Sequence, residues 1–143
     1  MKLSTRTRYG MRAMIEIAKN FGKGPTKRRD ITKTQGISHS YLENILIALK
    51  TKGLVSTVRG AEGGFVLEKP PSQVTLLEIV TALEGSIAPV DCLDQPGLCE
   101  RTPRCAGRFA WKKLYDAQTE VLSSMTLESL IDVERDSAGD YVI

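Results

Sequence analysis

The chain lacks a fourth cysteine, a second histidine and any long apolar run. Its 143 residues include three cysteines and one histidine, His39. No stretch approaches the roughly eighteen consecutive apolar residues that a bilayer-spanning helix requires. The opening MKLSTRTRYG has no apolar segment of the kind that marks a secretion signal. The expectation is a cytoplasmic protein with no membrane segment. An odd number of thiols in a reducing compartment argues against a disulfide framework and for metal binding or thiol chemistry. A sole histidine and the absence of any Cys-x-x-Cys pair leave no Cys–His nucleophile and no dithiol redox pair, so the chain is not expected to be an enzyme.

What is present is unevenly distributed. Net charge is only +3, yet residues 1–69 hold fourteen Lys/Arg against five Asp/Glu, a balance of +9, while residues 70–143 hold six against twelve, a balance of −6. A basic half of this size points to a polyanionic partner, because neutralised phosphates supply most non-specific affinity for nucleic acid. The length suits one compact domain, or a small domain with a helical extension.

Hydrophobic spacing gives an order of elements. Met11, Met14, Ile15 and Ala18 repeat at helical intervals and predict a first helix that ends between Gly22 and Pro25. A short second helix is expected from about Lys27 to Gln35, closed by Gly36. Ser40-Tyr41-Leu42-Glu43 has the pattern of a capping box opening a third helix, with Leu42, Ile45, Leu46 and Leu49 as its buried stripe and Gly53 as its stop. LVSTVRGAEGGFVLEKP then reads as two short strands joined by a glycine-containing loop from Arg59 to Gly64. This succession inside the basic half predicts a mainly α fold with a small β wing, a winged helix-turn-helix over residues 1–71 whose third helix enters a major groove. Over residues 72–133 we expect a linking helix opened by a second capping box at Thr75 and Glu78, a cysteine loop, and a long helix. A short last helix from Leu127 to Val133 follows, then a loose tail, 134–143. The long helix carries a wide stripe, Trp111, Leu114, Tyr115, Gln118, Leu122 and Met125. Such a face packs on its own domain or on a second copy across a two-fold axis; the homodimer is the expectation, because dimers match palindromic DNA.

All three thiols fall in DCLDQPGLCERTPRC, residues 91–105. Structural zinc sites pair cysteines two to four residues apart and add a fourth Cys or His, neither of which occurs. Pro96, Gly97, Pro103 and Gly107 are expected to keep the loop non-helical, so that Cys92, Cys99 and Cys105 converge. An iron-sulfur cluster suits three converging thiolates.

Several segments together resemble the IscR-type winged-helix transcription regulators, a family that includes iron-sulfur, nitric-oxide and cysteine-metabolism sensors. They are MKLSTRTRYGMRAM, GISHSYLENIL, LVSTVRGAEGGF, VTLLEIVTALEG, and the three-cysteine loop followed by a long helix with Trp111. The resemblance implies a homodimer that binds operator DNA, mainly as a repressor, and carries one cluster per subunit, most often 2Fe-2S. It places Cys92, Cys99 and Cys105 at the cluster ligands. Where the founding regulator has a histidine as fourth ligand, this chain has Arg108, which offers no lone pair. Relatives that draw that ligand from the first helix do so near positions occupied here by Arg8 and Arg12, which leaves Asp91, Asp94, Glu100, an exogenous thiol or water. Six residues separate the first two cysteines, one more than in the iron-sulfur assembly regulator. Reversible thiol oxidation or a bound small molecule, without a cluster, is the alternative control.

For DNA, Ser38, Ser40 and Tyr41 are placed to meet phosphates or base edges at the start of the third helix, with His39 and Asn44 beside them. Glu43 is able to accept from a cytosine amino group, and by resemblance helps select operator class. Arg59 at the wing tip suits minor-groove insertion. Arg6, Arg8, Arg28 and Arg29 are expected on the phosphate backbone.

Overall fold

The computed structural model describes residues 2–139. Helix α1, Thr5–Lys19, opens on Ser4, whose hydroxyl accepts from the Thr7 amide at 3.1 Å. Its buried face is Thr7, Gly10, Ala13, Met14, Ile17 and Ala18, so the stripe is turned from the one read in the sequence; Met11 and Ile15 only flank the core. The turn is set by Gly10. A Cβ there would lie 2.2 Å from Leu83 Cδ1, so its lack of a side chain lets α1 approach the fourth helix closely.

Helix α2, Arg28–Gln35, stops at Gly36, whose φ of 63° is left-handed and suits glycine. Helix α3, His39–Thr51, buries Leu42, Ile45, Leu46 and Leu49 as expected. Its cap is Ser38, which accepts from the Tyr41 amide at 3.3 Å, not Ser40. The chain leaves Gly36 in an extended conformation that reaches Ser38 first, so Ser40 already lies within the helix and Glu43 is released from the expected capping box.

Strands β1, Val55–Val58, and β2, Gly64–Leu67, pair antiparallel from Val55↔Leu67 to Val58↔Gly64 and form the wing. Helix α4, Leu76–Glu84, opens on the Thr75–Glu78 capping box, present in both directions, and ends at Gly85. The single-turn helix α5, Asp91–Asp94, and two short 3₁₀ turns lead to α6, Ala106–Ser124, and α7, Leu127–Gly139. The cysteine loop is therefore largely turned, and Gly107 sits inside α6 instead of breaking the loop. Helix α7 runs six residues past Val133. No proline interrupts it, and Glu134 is tied to Lys19 of α1 at 2.6 Å. Of the segment expected to be a loose tail, 134–139 is thus helical and 140–143 lies outside the described residues.

One core joins α1 through α4, the wing and α7. Val74, Ile79, Leu83 and Leu127 pack in the same cluster as Met14, Ile17, Leu42, Ile45 and Phe65. The entrances of α4 and α7 lie side by side, with the Leu76 amide donating to the Met125 carbonyl and the Leu127 amide to the Val74 carbonyl, each at 3.0 Å. The caps carry a pH signature. Partial burial works to raise the Glu78 pKa, but the Lys69 ammonium and the Thr75 amide outweigh it and hold the carboxyl below its ordinary range. A carboxyl with a depressed folded pKa stabilises the fold above the ordinary glutamate value and loses that contribution as pH falls through the folded value. Glu78→Gln should therefore melt below the parent at pH 7 and converge with it in acid. A gap in melting temperature that is unchanged between neutral pH and pH well below the glutamate range would refute this.

Candidate nucleic-acid interface and thiol loop

With its apolar stripe turned inward, α3 presents His39, Ser40, Asn44, Ile47 and Lys50 to solvent. Ile47, 54% exposed, was not among the sequence candidates; it shares the helical period of Ser40 and Asn44, and periodicity alone could have found it. Tyr41 is half-buried, edge-on to Tyr9 with ring centroids 6.0 Å apart. The Arg12 guanidinium lies 5.0 Å from the Tyr9 ring centroid and donates to Gln35 Oε1 at 2.7 Å, which ties α1, α2 and the start of α3 together. Tyr41 thus has a packing duty beside any contact with DNA.

The wing is fixed to α2 through Thr26, which exchanges backbone hydrogen bonds with Phe65 at 2.8 and 2.9 Å. A Cβ on Gly64 would come within 2.3 Å of the Thr26 carbonyl oxygen, so this close approach needs glycine. Beyond β1 the tip turns at Gly60, φ 110°, with Arg59 exposed just before it. A groove between α3 and the wing is lined by Arg28, Glu43, Ile47, Lys50, Thr57 and Arg59.

The remaining cations divide by what holds them. Arg6 is exposed and borders a second depression beside Tyr41, Asn44 and Lys52. Arg29 is exposed, as is Arg8, whose guanidinium donates to Thr5 Oγ1 at 3.1 Å along its own helix. Arg28 is different: its Nη2 lies 2.6 Å from Glu43 Oε2 and its guanidinium 5.7 Å from the Phe65 ring centroid.

In the thiol loop Cys92 lies half-buried within α5, while Cys99 and Cys105 are exposed; all three are free. Cys105 caps α6, its Sγ accepting from the Arg108 amide at 3.3 Å. Soft thiols are the donor chemistry that an iron-sulfur cluster takes. The expected convergence is not found, however: among the described residues no three His, Cys, Asp or Glu side chains are gathered in a geometry that holds a metal ion. Cys92 is held in one helical turn, Cys105 is committed to the next helix, and Cys99 lies between two 3₁₀ turns. Arg108, at the histidine position of the resemblance, cannot complete the set, and its Nε is buried without a partner.

None of the nineteen residues of α6 is buried. Its predicted stripe splits. Tyr115, Gln118, Leu122 and Met125 are half-covered by the domain, whereas Trp111 and Leu114 are exposed, as are Phe109 and Val121, which is 55% exposed. Leu3, Ala117, Gln118, Val121 and Leu122 line an open recess that exposes apolar surface. Among the described residues no helix is long and apolar enough to cross a membrane.

A family model described as Rrf2, iron-dependent transcriptional regulator, matches residues 3–133. The transcriptional regulator CymR of Bacillus subtilis is 44% identical over 130 residues, 91% of this chain and 89% of its own. The regulator IscR of Photorhabdus laumondii is 38% identical over 132 residues, 92% of this chain and 80% of its own. The solved structure of B. subtilis CymR, described as the global cysteine regulator, superposes with a TM-score of 0.79 at 42% identity, covering 93% of this chain and 98% of that one. The T. potens IscR structure gives 0.78 at 32% identity, covering 96% and 90%.

Proposed function

This chain belongs to the Rrf2 family of transcriptional regulators, and from that membership we propose that it is a cytoplasmic homodimer that binds palindromic operator DNA, mainly as a repressor, under control of its thiol loop. The observation that carries the reading is the outward face of α3, continuous with a wing tipped by Arg59, in the half of the chain with a +9 balance. Residues 1–71 form the reading head. His39, Ser40, Asn44 and Ile47 meet base edges in the major groove, and Arg59 enters the minor groove beside it. Ser38, Arg6, Arg8 and Arg29 set the register on phosphates, and the exposed side of α6 pairs the two heads. It is a regulator and not an enzyme, as its relatives are.

Cys92, Cys99 and Cys105 would hold an iron-sulfur cluster, 2Fe-2S and one per subunit. Such a group would supply metal and sulfide that bind the three sulfurs and are lost on oxidation or iron shortage. Cys92 follows α4, which packs on α1 and α3 of the reading head, and Cys105 caps α6, so whatever ties these sulfurs together links the support of the reading head to the pairing helix. Two observations favour a second reading, reversible oxidation of the same thiols: among the described residues no three-ligand set is assembled, and the identity to CymR, 44%, exceeds the 38% to IscR. Anaerobic purification followed by iron, sulfide and gel-shift assays separates them. The cluster reading expects coloured protein with about two irons and two sulfides per chain, bleached by air together with a change in operator affinity and lost in Cys92→Ser. Colourless, metal-free protein whose DNA binding responds to peroxide and then to thiol reductant would overturn it in favour of the second.

A further inference from the structure

Arg6, Arg8, Arg28 and Arg29 were expected to act alike, as backbone contacts, but Arg28 differs from the other three in being held by neighbouring side chains of α3 and the wing. It is the first residue of α2 and is held from two sides. On one side lies the face of Phe65, itself buried and pinned through the Thr26 bridge; on the other lies the Glu43 carboxylate of α3. Arg59 and Lys50, which share its groove, enter no ion pair among the described residues and remain available to phosphates.

We infer that Arg28 is a specificity-determining residue that acts through Glu43, by clamping one oxygen of that carboxylate so that the other faces a base edge; the inference rests on the DNA-binding reading given above. The physical case has three parts. An unpaired carboxylate facing the groove would repel every phosphate alike, and the guanidinium 2.6 Å away cancels that charge locally. Glu43 Oε2 is occupied by Arg28, which leaves Oε1 to accept from an exocyclic amino group, the cytosine N4 or adenine N6 of a major-groove edge. The planar guanidinium over Phe65 then fixes the direction from which that oxygen is presented, whereas a lysine would supply charge without the planar contact. Placement on α2 matters as well, because it ties the angle of the recognition helix to its neighbour.

The test uses the full-length protein and duplexes that the parent selects from a randomised library, compared with random duplex of equal length. Arg28→Ala should lower the operator-to-random affinity ratio about tenfold, equivalent to about 1.4 kcal/mol, and Arg28→Lys should not restore it. In a Glu43→Ala background the same Arg28→Ala change should move the ratio less than twofold. A phosphate contact would instead weaken operator and random duplex equally, would be rescued by lysine, and would cost the same in both backgrounds; any of these results overturns the inference. Failure of the parent itself to bind any duplex would overturn the DNA-binding reading instead. Both side chains are partly exposed, at 42% and 43%, and equal circular dichroism melts identify variants that fold.

Discussion

Leu114→Asp leaves a folded monomer that binds operator DNA about a hundredfold or more weaker than the parent, because joining two reading heads is worth roughly 10² to 10⁴ in avidity. Leu114 stands 43% exposed on α6 and borders a recess of mixed polarity with Leu3, Ile87, Lys2 and Glu84. A nineteen-residue helix with no buried residue gains little from its own domain, and most helical stability in proteins comes from tertiary packing of an apolar face. In the homodimer proposed above, a second copy supplies that packing. Aspartate would place a charge in the middle of the new interface, where desolvation is costly. Light scattering reads the oligomeric state and gel-shift reads affinity. A variant that remains dimeric, or a monomer that binds as tightly as the parent, would show that α6 is not the pairing element.

Leu127→Ala is expected to destabilise the fold by about 2 to 5 kcal/mol, the range for emptying a buried leucine site. Leu127 has no exposure, and its amide is committed to the Val74 carbonyl. The cavity would open near the entrances of α4 and α7, which are joined by the Leu76–Met125 and Leu127–Val74 backbone hydrogen bonds. Val133→Ala, at a position 61% exposed on the same helix, serves as the control and should change stability by no more than about 0.5 kcal/mol. Urea denaturation measures both. Similar midpoints for the two variants would show that α7 does not belong to the cooperative core.

The contrast between these helices shows what local pattern could and could not disclose. The stripe of α3 and the capping box at Thr75 depend on residues within one turn of each other, and both were legible. The cap was read at Ser40, whereas the extended backbone at Ser38 gives the cap to that serine, two residues earlier. Glu43 then turned from a cap partner into an ion-pair partner of Arg28, fifteen positions away, which no local motif records. The extent of α7 was hidden for the same reason: its charged end reads as solvated until Lys19 is seen to hold Glu134. Counting thiols marked the loop as a site, but their separation follows from the turns around them, and composition is silent on that.

The adjoining entrances of α4 and α7 impose an order on biosynthesis. A ribosome that has delivered residues 1–71 has made every side chain assigned to the groove, yet the cluster around Met14 and Ile45 still waits for Val74, Ile79 and, about fifty residues later, Leu127. Until that last segment emerges and closes over the first, apolar surface on the nascent head stays open, the condition under which chains associate wrongly or recruit chaperones. The core beneath the groove is therefore completed only once translation has passed residues 91–105, so in the regulator proposed above each finished reading head carries its thiols with it.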